Sequence, residues 1–340
     1  MSIRDLIVQV VRGQDLSQEQ AASAMEEIMT GVASAAQIAA FLTALHLKGE
    51  TDAEIAGMAE VMRAKATPVH FDGALLDTCG TGGDASGTFN ISTIASFIAA
   101  GAGATVAKHG NRAASSACGS ADVLEGLGVN IELDAEGVVR CLTEAGIGFM
   151  FAQKFHPAMR YVGPVRREIG IRTVFNILGP LSNPARARHQ VLGVASVELA
   201  EKMARALGRL GSVHALLVHG DGGLDELALS GPNVVFEVRE GHEPRRFEVQ
   251  AADVGLRAAP KQAVLGGSVA ENVAIARAIL SGEETGPKLD IVLLNAAAAL
   301  VAADLAGDLR EGVELARTSL REGKAYERME RMIAASQHAA

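Results

Sequence analysis

The sequence predicts an α/β protein: a small N-terminal helical lobe, then a large α/β domain around a central, mainly parallel sheet. Three observations lead there. The first seventy residues carry helical spacing and helix-start signals. From Leu75 short apolar runs alternate with longer helical segments, the pattern of strands joined by crossover helices. Glycine-rich stretches fall where strands hand over to helices, a position suited to holding anions.

In chain order, Ile3, Leu6, Ile7, Val10 and Val11 are spaced as one face of a first helix. Three further starts carry capping boxes, Ser17 with Gln20, Ser34 with Gln37 and Thr51 with Glu54, and Gly31 and Gly49 supply stops. This lobe spans 1–70, bounded by Thr67 and Pro68, and is completed by part of 155–185. There Pro157, Pro164, Pro180 and Pro184 interrupt regular structure and suit a crossover back to the lobe. Residues 71–340 form the α/β domain, with strands expected at 75–77, 105–108, 148–152, 191–195, 213–219, 234–238 and 247–249. Helices are expected at 91–102, 120–127, 136–145, 197–210, 269–280, 291–305 and 311–322.

With 340 residues, 49% of them hydrophobic, the chain is long enough to bury a full core. Aromatics are 4% and glycines number 37, so helices are expected to pack closely through Ala and Gly. A net charge of −9 speaks against broad affinity for nucleic acid or anionic membrane. Yet Lys154, Arg160, Arg166, Arg167, Arg172, Arg186 and Arg188 face one acid, Glu168, within 154–188, which suggests a focused anionic ligand. Cys79, Cys118 and Cys141 lack the paired spacing of a zinc site or disulfide framework, pointing to the reducing cytoplasm. No secretory pattern opens the chain, and runs such as 291–303 are shorter than the roughly 20 residues of a membrane span.

The chemistry concentrates in DTCGTGGD at 77–84 and KHGNRAASSACGSADVLEGLG at 108–128. Glycines let backbone N–H groups turn towards phosphate, and two such loops imply a ligand with phosphate at two ends, such as a phosphorylated sugar diphosphate. The first loop matches neither the Walker nor the dinucleotide pattern. Asn90, Ser92 and Thr93 can cap the next helix while meeting a diphosphate, and Ser92 can alternatively give an oxygen to Mg²⁺. In the second segment Lys108, His109, Asn111 and Arg112 follow a strand, and Ser115, Ser116, Gly119 and Ser120 precede a helix. His109 has three open roles: polarising a bound group, donating a hydrogen bond, or serving as a neutral structural imidazole.

Asp225 and Glu226, adjacent on a glycine-rich strand-end loop, suit a shared metal; Asp84 is a further candidate, or it accepts from ribose hydroxyls or holds its own loop. Of Arg166 and Arg167, one is expected to recognise a carboxylate and the other to be structural. Pro157, Met159, Tyr161, Val162 and Pro164 offer surface for an aromatic acid or simply pack a core. Neither a Ser/His/Asp arrangement nor HExxH is evident, which argues against a hydrolase.

GTGGD, NIST, KHGNRAASSACGSAD, the stretch from KFHPAMRYVGPVRRE to FNILGPLSNP, and the DE pair follow one another in a familiar order. Over nearly its whole length the chain resembles the anthranilate phosphoribosyltransferases, tryptophan-pathway enzymes with a nucleoside-phosphorylase-like fold. The resemblance implies that the amine of anthranilate attacks C1 of phosphoribosyl pyrophosphate, giving N-(5-phosphoribosyl)anthranilate and pyrophosphate. It implies donor contacts at Gly80, Gly83, Asp84, Thr88, Asn90, Ile91, Ser92, Thr93, Lys108, His109, Gly110, Asn111, Arg112, Ala113, Ala114, Ser115, Ser116 and Ser120. Anthranilate contacts are implied at Gly80, Asn111 and Arg166, and Mg²⁺, two ions per monomer, on Ser92, Asp225 and Glu226. A homodimer joined through the helical lobe is implied as well, and no single residue stands out as catalytic. Pyrimidine nucleoside phosphorylases share the look of KHGNRAASS, but CGTGGD and the DE pair favour a diphosphate donor. A noncatalytic, nucleic-acid-binding relative would need an extended basic surface and an eroded site, and neither is visible.

Overall fold

The computed structural model describes residues 1–84, 86–113 and 118–337. The N-terminal helices are α1 (Ile3–Val11), α2 (Gln18–Met29), α3 (Ala35–Lys48) and α4 (Asp52–Lys65). All three expected capping boxes close. The amides of Gln20, Gln37 and Glu54 donate to Ser17, Ser34 and Thr51 hydroxyls at 3.2, 3.3 and 3.2 Å, and the reciprocal bonds are 2.8, 2.9 and 2.8 Å. Gly31 and Gly49 end α2 and α3 with φ of 77° and 83°, where a Cβ would be strained.

The α/β part begins β1 (Leu76–Gly80), α5 (Ile91–Gly101), β2 (Val106–Gly110), α6 (Ser120–Leu127), α7 (Ala135–Ala145), β3 (Ile147–Phe151). Three short helices follow, α8 (Ala152–Phe155), α9 (Gly163–Ile169) and α10 (Phe175–Leu178). Then come β4 (His189–Gly193), α11 (Val197–Arg209), β5 (His214–His219), β6 (Asn233–Arg239), β7 (Arg245–Val249), α12 (Val269–Leu280), α13 (Pro287–Ala302), α14 (Leu309–Arg321) and α15 (Lys324–Gln337). The sheet order is β3-β2-β1-β4-β5-β6-β7, parallel through β5 and antiparallel for the last two pairings. From β1 the chain turns first to β2 on one side and later to β4 on the other. The crevice outside the ends of β1 and β4 is therefore the topological switch point, where sheets of this kind take ligands.

Alternation along the strands divides the core. Val191, Leu216 and Val218 face α5 and α13, whereas Leu192, Ala215 and Leu217 join a second cluster with α1 to α4 and α11. Val162, Val165, Val174, Phe175 and Leu178 belong to that second cluster, so the proline-interrupted segment packs with the N-terminal helices.

Besides the short α8 to α10, for which the sequence offers no helix, two elements differ from expectation. β1 runs on to Gly80, because Cys79 and Gly80 still pair with Leu192 and Gly193. α15 was not expected from its charged sequence, yet Ala325, Met329, Met332 and Ala335 form a buried stripe at helical spacing. Among the described residues no helix is long and apolar enough to cross a membrane.

Candidate functional site

At the switch point Gly80 stands opposite Gly193, and Thr81 N–H donates to the Gly193 carbonyl at 2.9 Å. Both glycines make room for Asp225. A Cβ at Gly193 would overlap the Asp225 carbonyl, and one at Gly80 would lie 2.5 Å from Asp225 Oδ2. Gly82 N–H donates to that same oxygen at 2.8 Å, and Ser92 N–H, at the start of α5, donates to Glu226 Oε1 at 3.1 Å. The adjacent carboxylates are thus brought to the first glycine loop and the α5 start from 143 and 134 residues away in sequence, through the β5 turn. Asp84 accepts from Ser86 N–H at 3.1 Å and from Asp225 N–H at 3.4 Å, so of its expected roles the structure displays the loop-holding one.

The electrostatics of this cluster are uneven. Burial, and then the neighbouring Asp84 charge, raises the Asp225 carboxyl well above the usual range. Glu226 is raised by burial and by Asp225, with Lys108 and the Ser92 N–H pulling the other way. Asp84 feels burial too, but its bonds from Ser86 hold it below the ordinary value. Among the described residues neither Asp225 nor Glu226 forms an ion pair. Lys108 was expected to face the ligand; instead its ammonium is buried beneath β1, donating to the Thr78 carbonyl and, at 3.2 Å, to its hydroxyl. Burial lowers its pKa against the attraction of Asp77, Cys79 and Glu226.

The second loop is braced by acids. Fully buried Asp77 accepts from His109 N–H at 3.1 Å and from Asn183 Nδ2 at 2.8 Å. The His109 and His156 rings meet Nε2 to Nε2 at 3.2 Å, and burial lowers their pKa values to about 3 and about 4. Of the roles left open for His109, that environment fits the neutral structural imidazole. Asp122 Oδ2 accepts from Ala113 N–H and Gly119 N–H at 3.0 and 2.9 Å. Arg112 was expected at the donor, but its guanidinium pairs with Asp122 and Glu125 at 3.0 and 2.8 Å and lies over Phe151, drawn to the acidic face of α6. The Asn111 carbonyl accepts from the Ser120 hydroxyl at 3.3 Å, and Gly110 leaves space for Ser120 and Phe149. Ala114, Ser115 and Ser116, implied above as donor contacts, lie outside the described residues.

Asn90 occupies the N-cap position of α5 but makes no capping bond, contrary to expectation. Its amide donates to the Cys118 carbonyl at 3.1 Å and accepts from Asn272 at 3.1 Å, which ties the two loops to α12. Thr88 Oγ1 meets Ser86 Oγ at 3.1 Å, while Ile91 and Thr93 are buried in α5, the Thr93 hydroxyl without a partner among the described residues.

Arg166 is half-buried, its guanidinium 5.5 Å from the Phe175 ring centre and, among the described residues, without a carboxylate partner. Burial lowers its pKa. Arg167 is exposed. Tyr161 packs against Gly31, and Val162 is core, so of the two readings of that segment these side chains take the packing one. The basic stretch disperses rather than forming one patch. Arg188 pairs with Glu240 at 2.6 Å, Arg160 donates to the Tyr161 hydroxyl at 2.7 Å, Lys154 reaches the Glu132 carbonyl, and Arg172 Nη2 reaches the Gly82 carbonyl at 3.4 Å. The sequence gives no role to Asp77, Asp122, Asn183 or His156, and places Arg172 only within the basic stretch. Asp77 and Asp122 are visible as acids inside the glycine motifs; Asn183 and His156 carry no local signal, because their partners are distant in sequence.

The chain matches two family models, "Glycosyl transferase family, a/b domain" over residues 72–326 and "Glycosyl transferase family, helical bundle domain" over residues 4–66. It is 76% identical to anthranilate phosphoribosyltransferase of Roseiflexus castenholzii over 99% of both chains. The solved anthranilate phosphoribosyltransferase of Thermus thermophilus superposes with a TM-score of 0.93 at 48% identity, covering 98% of this chain and 100% of that one. The Saccharomyces cerevisiae enzyme, solved in complex with PRPP and Mg, gives 0.89 at 27% identity over 98% and 97%.

Proposed function

The chain belongs to the anthranilate phosphoribosyltransferase family, and from that premise we infer that it transfers the 5-phosphoribosyl group of phosphoribosyl pyrophosphate to the amine of anthranilate, in tryptophan biosynthesis. N-(5-phosphoribosyl)anthranilate and pyrophosphate are the products. The observation that carries the reading is the convergence of Asp225 and Glu226 on the glycine loop and the α5 start, at 2.8 and 3.1 Å, with no ion pair to either among the described residues. Buried carboxylates crowded in this way favour a cation or protons.

Ser92, Asp225 and Glu226 present hard oxygens suited to Mg²⁺, two ions per monomer in this reading. Among the described residues no group of three or more His, Cys, Asp or Glu side chains forms a protein-only cage. That is no obstacle, since Mg²⁺ commonly takes one or two carboxylates and completes its shell with water and substrate phosphate. When bound there, the ion neutralises charge on the diphosphate.

Breaking C1–O builds positive charge on the sugar and negative charge on the leaving group, so positioning and electrostatics dominate. In this reading the donor is bound by Gly80, Gly83, Asp84, Thr88 and Asn90 to Thr93, and by the second glycine loop, residues 108–116, with Ser120, through backbone groups where the Lys108 and Arg112 side chains turn to Thr78, Asp122 and Glu125. Arg166, a guanidinium without a carboxylate partner among the described residues, holds the anthranilate carboxylate, and Asn111 and Gly80 help aim the amine at C1. The neutral aromatic amine needs no strong base and loses its proton after attack. In the same reading, residues 1–70 with part of 155–185 form one lobe and 71–340 the other. Two copies join through the helical lobe, and the enzyme works in the cytoplasm. Incubation with phosphoribosyl pyrophosphate, Mg²⁺ and anthranilate should give loss of anthranilate fluorescence that depends on the donor; a flat signal would sink the assignment.

A further inference from the structure

We propose that Arg172 is a ligand of the diphosphate leaving group, reaching the first glycine loop from the helical side of the crevice; this rests on the phosphoribosyl-transfer reading above. Arg172 precedes Thr173, Val174 and Phe175, all buried, and the last two pack in the cluster built by α1 to α4. Its head, by contrast, lies on the sheet side. Nη2 donates to the Gly82 carbonyl at 3.4 Å, and a Cβ at Gly83 would overlap Nη1. Gly83, with φ of 76°, therefore serves the approach of this guanidinium as well as the turn.

The Gly82 peptide is held on both sides, its N–H by Asp225 Oδ2 at 2.8 Å and its carbonyl by Arg172. Among the described residues no carboxylate pairs with Arg172. One long bond to a neutral carbonyl leaves most of its five donors free beside a loop whose glycines admit phosphate. A guanidinium in that position can bind the terminal phosphate bidentately, which an ammonium cannot do. Arg166 and Arg172 flank one turn at the end of α9, so a single segment serves both substrates, the acceptor through the first and the leaving group through the second.

The test is steady-state kinetics with both substrates, and product inhibition by inorganic pyrophosphate, for wild type, Arg172→Ala and Arg172→Lys. Losing a charge-assisted pair should raise KM for phosphoribosyl pyrophosphate and the pyrophosphate inhibition constant by about tenfold or more in Arg172→Ala. KM for anthranilate should stay within threefold, and Arg172→Lys should recover only part of the loss. Changes below threefold in both donor-side constants, or a change confined to anthranilate, overturn the proposal. A wild-type enzyme without donor-dependent turnover would instead overturn the underlying functional reading. Arg172→Lys keeps the charge and most of the side chain, so it reports even if the alanine variant folds poorly.

Discussion

At the N-terminal ends of β4 and β5 the carboxylates of Glu237 and Asp304 are met by Arg239, Arg245 and His214. Arg245 and Arg239 stand 2.7 and 3.0 Å from Glu237, and His214 Nδ1 is 2.8 Å from Asp304. At the opposite ends of the same sheet Asp225 and Glu226 lie against Asp84, backbone N–H groups and a lysine that is itself bonded to Thr78. The consequence shows in opposite directions of titration. Glu237 is pushed up by burial but held below its ordinary value by Arg245 and Arg239, while Asp225 and Glu226 are raised. One end of the sheet satisfies its charges internally and serves stability. The other leaves anionic character uncompensated beside a phosphate-type loop, which is how a binding site differs from a structural ion-pair network.

Neutralising the crowded end tests this contrast most severely. Asp225→Asn with Glu226→Gln should lower kcat on the order of 10²–10³-fold at saturating substrate and Mg²⁺, while thermal unfolding stays level or moves up because like charges no longer face each other. Near-normal turnover, or a clear loss of stability, would erase the distinction between the two ends.

The histidines extend it to pH. His109 and His156 are held near 3 and 4 by burial, so the folded protein binds fewer protons than the unfolded chain below pH 6.5. Their contribution is fully present above about 6.5 and lost as the pH falls, by on the order of 3 kcal/mol for each histidine near pH 4. Urea unfolding across that range should show a shallower acid slope in His109→Asn with His156→Asn; an unchanged slope would mean the pair titrates normally.

At the paired end, Glu237→Gln should cost about 1–2 kcal/mol of stability with kcat unchanged. Its carboxyl is lowered, so that contribution is present above about pH 4.5 and lost on further acidification. A fall in kcat would show that the two ends are coupled. The smallest expected effect is Ser34→Ala, which removes one capping hydroxyl and should cost about 1 kcal/mol, again without touching turnover; calorimetry that found no loss would remove the cap from the account.

Local signals served well where the partner lies within a few residues. Ser17, Ser34 and Thr51 found the capping partners expected three residues on, and α6 and α12 occupy the expected spans. Signals failed where a side chain had a choice of distant partners. Asn90 left its own helix for Cys118 and Asn272, Arg112 chose α6, and Lys108 turned inward to Thr78. In each case the stronger or better-desolvated partner came from another element, which no local window contains.

The sequence by itself determined the helical lobe, the parallel αβ alternation and the two glycine motifs. Capping, periodicity and backbone permissiveness act over three to eight residues and are written in residue types. Only the tertiary structure decided that β1 and β4 lie side by side with a crevice between their ends. It alone brought Asp225 and Glu226 to Gly82 and Ser92, and set Arg172 over Gly83. Those arrangements depend on strand order and on which buried charges find partners, and both are settled by long-range packing.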